Sequence, residues 1–216
     1  MKKGLTELVF IIDKSGSMAG LESDTIGGFN GMLKKQQAMD GECQITTVLF
    51  DHNCELLHDR LDIKAVSPIT ENEYQIGGTT ALLDAVGRTI HKIGSAQRHT
   101  AEDYRAEKVM FVIITDGEEN SSREFSLDTV KAQIEHQKAK YHWEFIFLGA
   151  NIDAVQTAAR FGIAADRAQN YHADRQGVEL NFRVMSEAVA TFRECAMPEG
   201  WNDEIQKDYQ RRGGRK

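Results

Sequence analysis

Leu5-Thr6-Glu7-Leu8-Val9-Phe10-Ile11-Ile12-Asp13-Lys14-Ser15-Gly16-Ser17-Met18 is the stretch that decides the fold. Its first eight residues are almost continuously apolar and turn β-branched towards the end, as a strand buried on both faces requires. The run stops abruptly at an acid followed by small hydroxylated residues and a glycine, which reads as a loop leaving the strand. A strand covered on both sides needs helices above and below it, so the rest of the chain should alternate between the two periodicities.

It does. Leu21 to Gln37 carries Ile26, Phe29, Met32 and Leu33 on a helical stripe, interrupted by Gly27-Gly28. Those glycines cost helix propensity, so either the first turns are irregular or another backbone packs closely there. Gln44 to Phe50 reads as a second strand, Asp51-His52-Asn53 as a turn, and Glu55 to Leu61 as an edge strand returning from it. Gly77-Gly78-Thr79-Thr80 opens a helix from Ala81 to Ile93, and residues 95–107 read as a polar surface connection. Lys108 to Thr115 is the most hydrophobic strand and belongs at the centre. Ser126 caps a helix reaching about Lys140, Trp143 to Leu148 is a further strand, and a helix follows at Ile152 to Phe161. A short strand near Ala168 to Tyr171 and an amphipathic helix from Asp174 to Phe192 complete the pattern. This alternation predicts an α/β fold: a doubly wound, mainly parallel, Rossmann-like sheet of about six strands, with one antiparallel edge strand and helices on both faces. Ligands of such sheets bind beyond the carboxyl ends of the strands, where the strand order reverses.

Length and composition bound the rest. At about 150 residues per domain, 216 residues favour one large domain, here residues 1–198, followed by a flexible basic tail over 199–216 in which Trp201 is a candidate anchor. A net charge of −7 lacks the basic footprint that nucleic acid or an acidic membrane demands, so neither is an expected partner. After Met1-Lys2-Lys3, only Leu8 to Ile12 is cleanly apolar, too short for a signal-peptide core of at least ~7 residues. Cys43, Cys54 and Cys195 are odd in number and form no CxxC pair, which predicts free, buried thiols and a cytoplasmic protein. In a hairpin turning near Asp51, Cys43 should face Arg60 or Leu61 and not Cys54.

Three loops gather oxygen-bearing side chains: Asp13-Lys14-Ser15-Gly16-Ser17, Gly77-Gly78-Thr79-Thr80, and Thr115-Asp116-Gly117-Glu118-Glu119-Asn120. If the first and fourth strands are neighbours, all three converge on one crevice. Two carboxylates with three hydroxyls form a hard, all-oxygen donor set suited to Mg²⁺ or Mn²⁺, less to Ca²⁺ and not to zinc. Alternate residues of Asp-x-Ser-x-Ser can point the same way, and Gly16 frees the backbone for a tight bend. Each segment alone also fits a cap or a turn; all three in order, after the right strands, favour a site. The rival is a Mg²⁺-dependent phosphoryl-transfer or hydrolytic enzyme on a similar sheet. A dehalogenase-like phosphatase, however, wants an acid where Ser15 stands, and no GxxxxGK[ST], HExxH or GxSxG is present. Lys14 reads as a surface cation.

Taken together, these motifs resemble the von Willebrand factor type A (VWA) domain family, in its intracellular bacterial or phage form, over roughly residues 4–195. The resemblance implies a metal-ion-dependent adhesion site with Asp13, Ser15, Ser17, Thr79 and Asp116 as ligands. The Gly-Gly-Thr match favours Thr79 over Thr80, while Gly16, Gly78, Thr80, Gly117, Glu118 and Glu119 form a rim. It also implies a non-enzymatic binding module. A partner protein's Asp or Glu would complete the metal's coordination, and such relatives act with ATPase, chelatase-like or stress-response partners. Glu118 and Glu119 read equally as an acidic rim and as solvated loop charges.

Overall fold

In the computed structural model, which describes residues 1–214, the quoted stretch is β1 (Lys2–Asp13), the strand on which the sheet is organised. It pairs in parallel on one side with β2 (Cys43–Phe50) and on the other with β4 (Ala106–Thr115). The antiparallel edge strand β3 (Cys54–Asp62) lies outside β2, and β5 (Glu144–Gly149) and β6 (Ala168–Asn170) follow β4 in parallel. The order β3-β2-β1-β4-β5-β6 therefore reverses between β1 and β4, the adjacency that brings the three loops together.

Alternation along the strands divides the core into two layers. Leu8, Phe10, Ile12, Val112, Ile114, Ile146 and Leu148 face α1 (Glu22–Gln37) and α5 (Arg175–Glu194). Val9, Ile11, Phe111, Ile113, Phe145 and Phe147 face α2 (Leu82–His99), α3 (Leu127–Tyr141) and α4 (Ala154–Arg160). Each such side chain, taken fully out of water, stabilises the fold by about 1.5–3 kcal/mol, which is why a both-faces-apolar strand sits at the centre. The Gly27-Gly28 interruption leaves α1 regular; what packs closely there is a side chain, because a Cβ on Gly28 would collide with the Phe182 ring of α5.

Four expectations are corrected. Helix α2 continues to His99, so the first five residues of the stretch read as a polar connection are helix; its inner face, through Ile93 and Gly94, stays buried although its outer face is polar. Two register shifts in the β2–β3 ladder move the pairing to Ile45 with Leu61 and Gln44 with Asp62, so Cys43 lies beyond the residues expected opposite it. All three thiols are free, but only Cys43 is buried; Cys54 is half-buried and Cys195 exposed. The segment read as a flexible tail forms α6 (Asp203–Arg211), whose Ile205 is buried, while the Trp201 indole N–H donates to the Asp166 carbonyl at 2.9 Å. A short amphipathic turn burying two large side chains is ordered by packing, whatever its charge. The last two residues of the expected tail lie outside the described residues. Among the described residues no helix is long and apolar enough to cross a membrane.

Candidate metal centre

Asp13 ends β1 fully buried, and both of its carboxylate oxygens are used. One accepts the Ser15 backbone N–H at 2.7 Å and so bends the loop back on itself; the other accepts the Thr115 hydroxyl at 2.7 Å from the end of β4. The turn Gly16–Met18 that follows is pinned by Met18, which is buried in the core. Ser15 and Ser17 place their hydroxyl oxygens 3.0 Å apart. Lys14, between Asp13 and Ser15, turns away to pair with Glu55 at 2.8 Å.

The second loop leaves β3 through one 3-10 turn (Ile63–Ala65), is otherwise irregular, and is held by α1. The Asn30 side chain both donates to and accepts from the Ile69 backbone, at 2.9 Å each, and Gln37 donates to the Ile63 and Val66 carbonyls. Tyr74 donates its hydroxyl to the Asp13 carbonyl at 2.5 Å, and the Gly16 N–H donates to the Gly78 carbonyl at 3.2 Å. Gly78 has φ +73°, the left-handed region, and a Cβ there would also collide with the His52 ring. This turn decides which threonine enters the site. Thr79 is left exposed, whereas Thr80 is buried and donates its hydroxyl to Ser15 Oγ at 3.0 Å. The structure therefore brings Thr80, not Thr79, to the cluster.

From the third loop, buried Asp116 accepts the Asn151 side-chain amide, and its own N–H leans towards Asp13 at 3.4 Å. Asn151 follows β5 in the left-handed region (φ 53°) and had no part in the expected site; its signal was position, a polar residue just after the next parallel strand ends. Glu119 is corrected from rim to scaffold, for it accepts the backbone N–H groups of Leu83, Ser121 and Ser122 and fixes the loop to the start of α2. Asp84 does the same from the other side, accepting from Arg123, Glu124 and Phe125 at 2.9 Å each. Glu118 remains exposed at the mouth.

Asp13 and Asp116 are thus two neighbouring buried carboxylates. Among the described residues no ion pair reaches either, and Lys14, next to Asp13 in the chain, is engaged with Glu55. Burial above all pushes the Asp116 carboxyl up to about 6, with the Asn151 amide opposing that rise and the Asp13 charge adding to it. Paired buried anions without a counter-charge are costly, and a bound cation relieves that cost. Gly117 keeps the space open, since a Cβ there would stand 3.1 Å from Ser17 Oγ and 3.2 Å from Thr80 Oγ1. Among the described residues no three His, Cys, Asp or Glu side chains gather as a metal cluster. Here three of the five candidate donors are hydroxyls, which together with two carboxylates suit a hard divalent cation. The residues present fit such an ion.

With the strand order and the crevice at its reversal in view, comparison with solved structures decides the architecture. A von Willebrand factor type A protein from Catenulispora acidiphila superposes with TM-score 0.58 at 16% identity, over 85% of this chain and 42% of that one. The fold is that of a VWA domain. The ArnB paralog VWA2 from Sulfolobus acidocaldarius matches with TM-score 0.50 at 18% identity, over 87% of this chain and 45% of that one. The pilus adhesin SpaC from Lactobacillus rhamnosus GG, in an open conformation, matches with TM-score 0.64 at 12% identity, over 87% and 30%. The chain spans less than half the length of each of these three structures. No family model matches the sequence, and no curated protein does.

Proposed function

We propose that this VWA domain is a protein-binding module, not an enzyme, that holds Mg²⁺ or Mn²⁺ through Asp13, Ser15, Ser17, Thr80 and Asp116 and recognises an Asp or Glu of a partner protein. The single observation that carries this reading is the buried, uncompensated pair Asp13 and Asp116 beside a ring of three hydroxyls. When bound, the ion supplies an electrophilic position that a partner carboxylate can occupy. The chain's own residues do the rest. Thr115 and the Ser15 N–H orient Asp13, Asn151 orients Asp116, and Gly117 leaves the mouth clear. Because the hydroxyls are neutral, the two carboxylates balance a divalent charge without exceeding it, which leaves the ion able to attract one more anion. The hydroxyl that donates to a carboxylate, Thr115 on Asp13, is fully buried with its partner and not open to a substrate, which favours binding over phosphoryl transfer. Neighbours that include a pilus adhesin agree with an adhesive role. An ATPase or stress-response protein in the cytoplasm is the partner class the sequence resemblance favours.

Water-proton relaxation with Mn²⁺ tests this. Wild-type protein should enhance the relaxation rate saturably, acetate should then lower the enhancement by displacing bound water, and Asp116→Asn should bind Mn²⁺ at least about tenfold more weakly. No saturable Mn²⁺ binding in the wild type, or binding unaffected by Asp116→Asn, refutes the site; binding that acetate leaves unchanged refutes carboxylate recognition.

A further inference from the structure

At the end of the sheet away from the metal centre, where β4 and β5 begin, the last turns of α2 and α3 enclose a cavity of about 200 Å³. Trp143 and Tyr141 line it, with ring centroids 6.4 Å apart, and Trp143 also stacks on Phe111 at 5.4 Å, which fixes its plane. A groove between the same helices runs on from it, and Gly94, Arg98 and Gln137 border both. Gln137 is only 8% exposed, and because its amide oxygen has almost no accessible surface, what it exposes lies on the rest of the side chain. Its amide nitrogen stands over Gly94, where a Cβ would come within 3.3 Å of it. Gly94 carries no side chain to cover that nitrogen, and among the described residues no acceptor takes its N–H groups. A second donor is at hand in Arg98, exposed near the end of α2, whose guanidinium makes no ion pair among the described residues. Of the acids that line the cavity, Glu107 accepts the Gly4 N–H at 2.7 Å and Glu102 lies exposed on the turn before β4. Helix-end carbonyls would repel an anion, but those of α2 are capped: Arg105 donates to the Thr100 and Arg98 carbonyls at 2.7 and 3.2 Å.

We propose that this cavity binds a small aromatic carboxylate, its ring against Trp143 and Tyr141 and its carboxylate accepting from the Gln137 amide nitrogen and the Arg98 guanidinium. A planar ring matches the aromatic walls. Two unengaged donors, one neutral and one cationic, match the two oxygens of a carboxylate.

Benzoate, nitrobenzene and acetate separate the parts, since nitrobenzene keeps the shape of benzoate without its charge and acetate keeps the charge without the ring. Each is titrated into full-length ¹⁵N-labelled protein in EDTA, so that the metal centre takes no part, and followed by ¹H–¹⁵N correlation spectra. Benzoate should give saturable shifts at millimolar concentration, centred on the Gly94 amide, the Gln137 side-chain amide and the Trp143 indole N–H. It should bind at least about tenfold tighter than either analogue. Arg98→Gln, at an exposed position, and Gln137→Met, which keeps the length of the side chain and removes the donor, should each weaken benzoate at least about fivefold and leave nitrobenzene unchanged. No saturation by benzoate, shifts scattered away from the cavity, benzoate no tighter than nitrobenzene, or wild-type affinity in both variants would each overturn the proposal. The wild-type comparison and Arg98→Gln decide the matter if Gln137→Met folds poorly.

Discussion

Replacing Thr80 by Val and, separately, Thr79 by Ala sets the turn at Gly78 against the motif that the sequence suggests. Thr80 is buried and its hydroxyl donates to Ser15 Oγ at 3.0 Å; valine keeps the shape and removes the donor. A neutral hydrogen bond of this kind contributes about 0.5–1.5 kcal/mol net, so without metal Thr80→Val should lose about 1 kcal/mol. For a domain of this size, that lowers the melting temperature by about 2–4 °C. The response to metal should be affected more. At a Mg²⁺ concentration of about 100 times Kd, mass action stabilises the native state by about 2.7 kcal/mol, or roughly 5–10 °C. Every tenfold loss of affinity removes about 1.4 kcal/mol of that. Thr79 is exposed, so Thr79→Ala should stay within about 0.5 kcal/mol of wild type and keep the whole metal shift. Differential scanning calorimetry of the three proteins, in EDTA and across a Mg²⁺ series, reads both quantities. If Thr79→Ala abolished the shift while Thr80→Val kept it, the geometry at Gly78 would be wrong. If both variants kept it, the threonine hydroxyl would be no part of the donor set. If the wild type showed no shift at 10 mM Mg²⁺, the site itself would fall.

Gly117→Ala should leave the apo melting temperature within a few degrees of wild type but weaken Mg²⁺ binding by calorimetric titration, because its Cβ would crowd Ser17 Oγ and Thr80 Oγ1; unchanged affinity would show that the space is not used. Asp84→Asn should cost about 2–3 kcal/mol at pH 7 in urea unfolding, since the carboxylate accepts three backbone N–H groups. Burial works to raise the Asp84 carboxyl, but those donors outweigh it and hold it below the usual carboxylate value. Its stabilising contribution is therefore complete above the unfolded pKa of about 3.9 and is lost as pH falls through the lower native value, so the gap between variant and wild type should be flat from pH 7 to 5 and close only below about 4. A gap that closed near pH 6 would contradict this assignment. Ile205→Ala should cost about 2–4 kcal/mol in the same unfolding assay, as a fully buried core residue does; a loss under 0.5 kcal/mol would mean that α6 contributes nothing to the fold.

What could and could not be read from the sequence follows from how far apart the deciding interactions lie. The order of strands and helices was legible because each strand announces itself within eight or ten residues, and because the pattern of β1, apolar on both faces, has few architectures open to it. Asp13, Ser15 and Ser17 were legible for the same reason, since one Asx turn over five residues sets their mutual arrangement. The choice between Thr79 and Thr80 was not. It rests on a single dihedral, the φ of +73° at Gly78, and on His52 closing the space beside it from another hairpin. Two adjacent threonines carry the same chemistry, and only the turn before them says which hydroxyl points inward. Glu119 escaped because all but one of its donors, the Ser122 hydroxyl, are backbone N–H groups, one of them 36 residues away, and backbone donors leave no mark in a sequence. The tail was misread by composition. Lys207 and Arg211 lie exposed on α6, while the buried Ile205 that orders the segment is one residue in a strongly polar stretch. At the candidate site the sequence states the chemistry and the turns choose the atoms. A mutational test of this site is therefore most informative at positions such as Gly78 and Gly117, which carry no donor and yet determine where the donors stand.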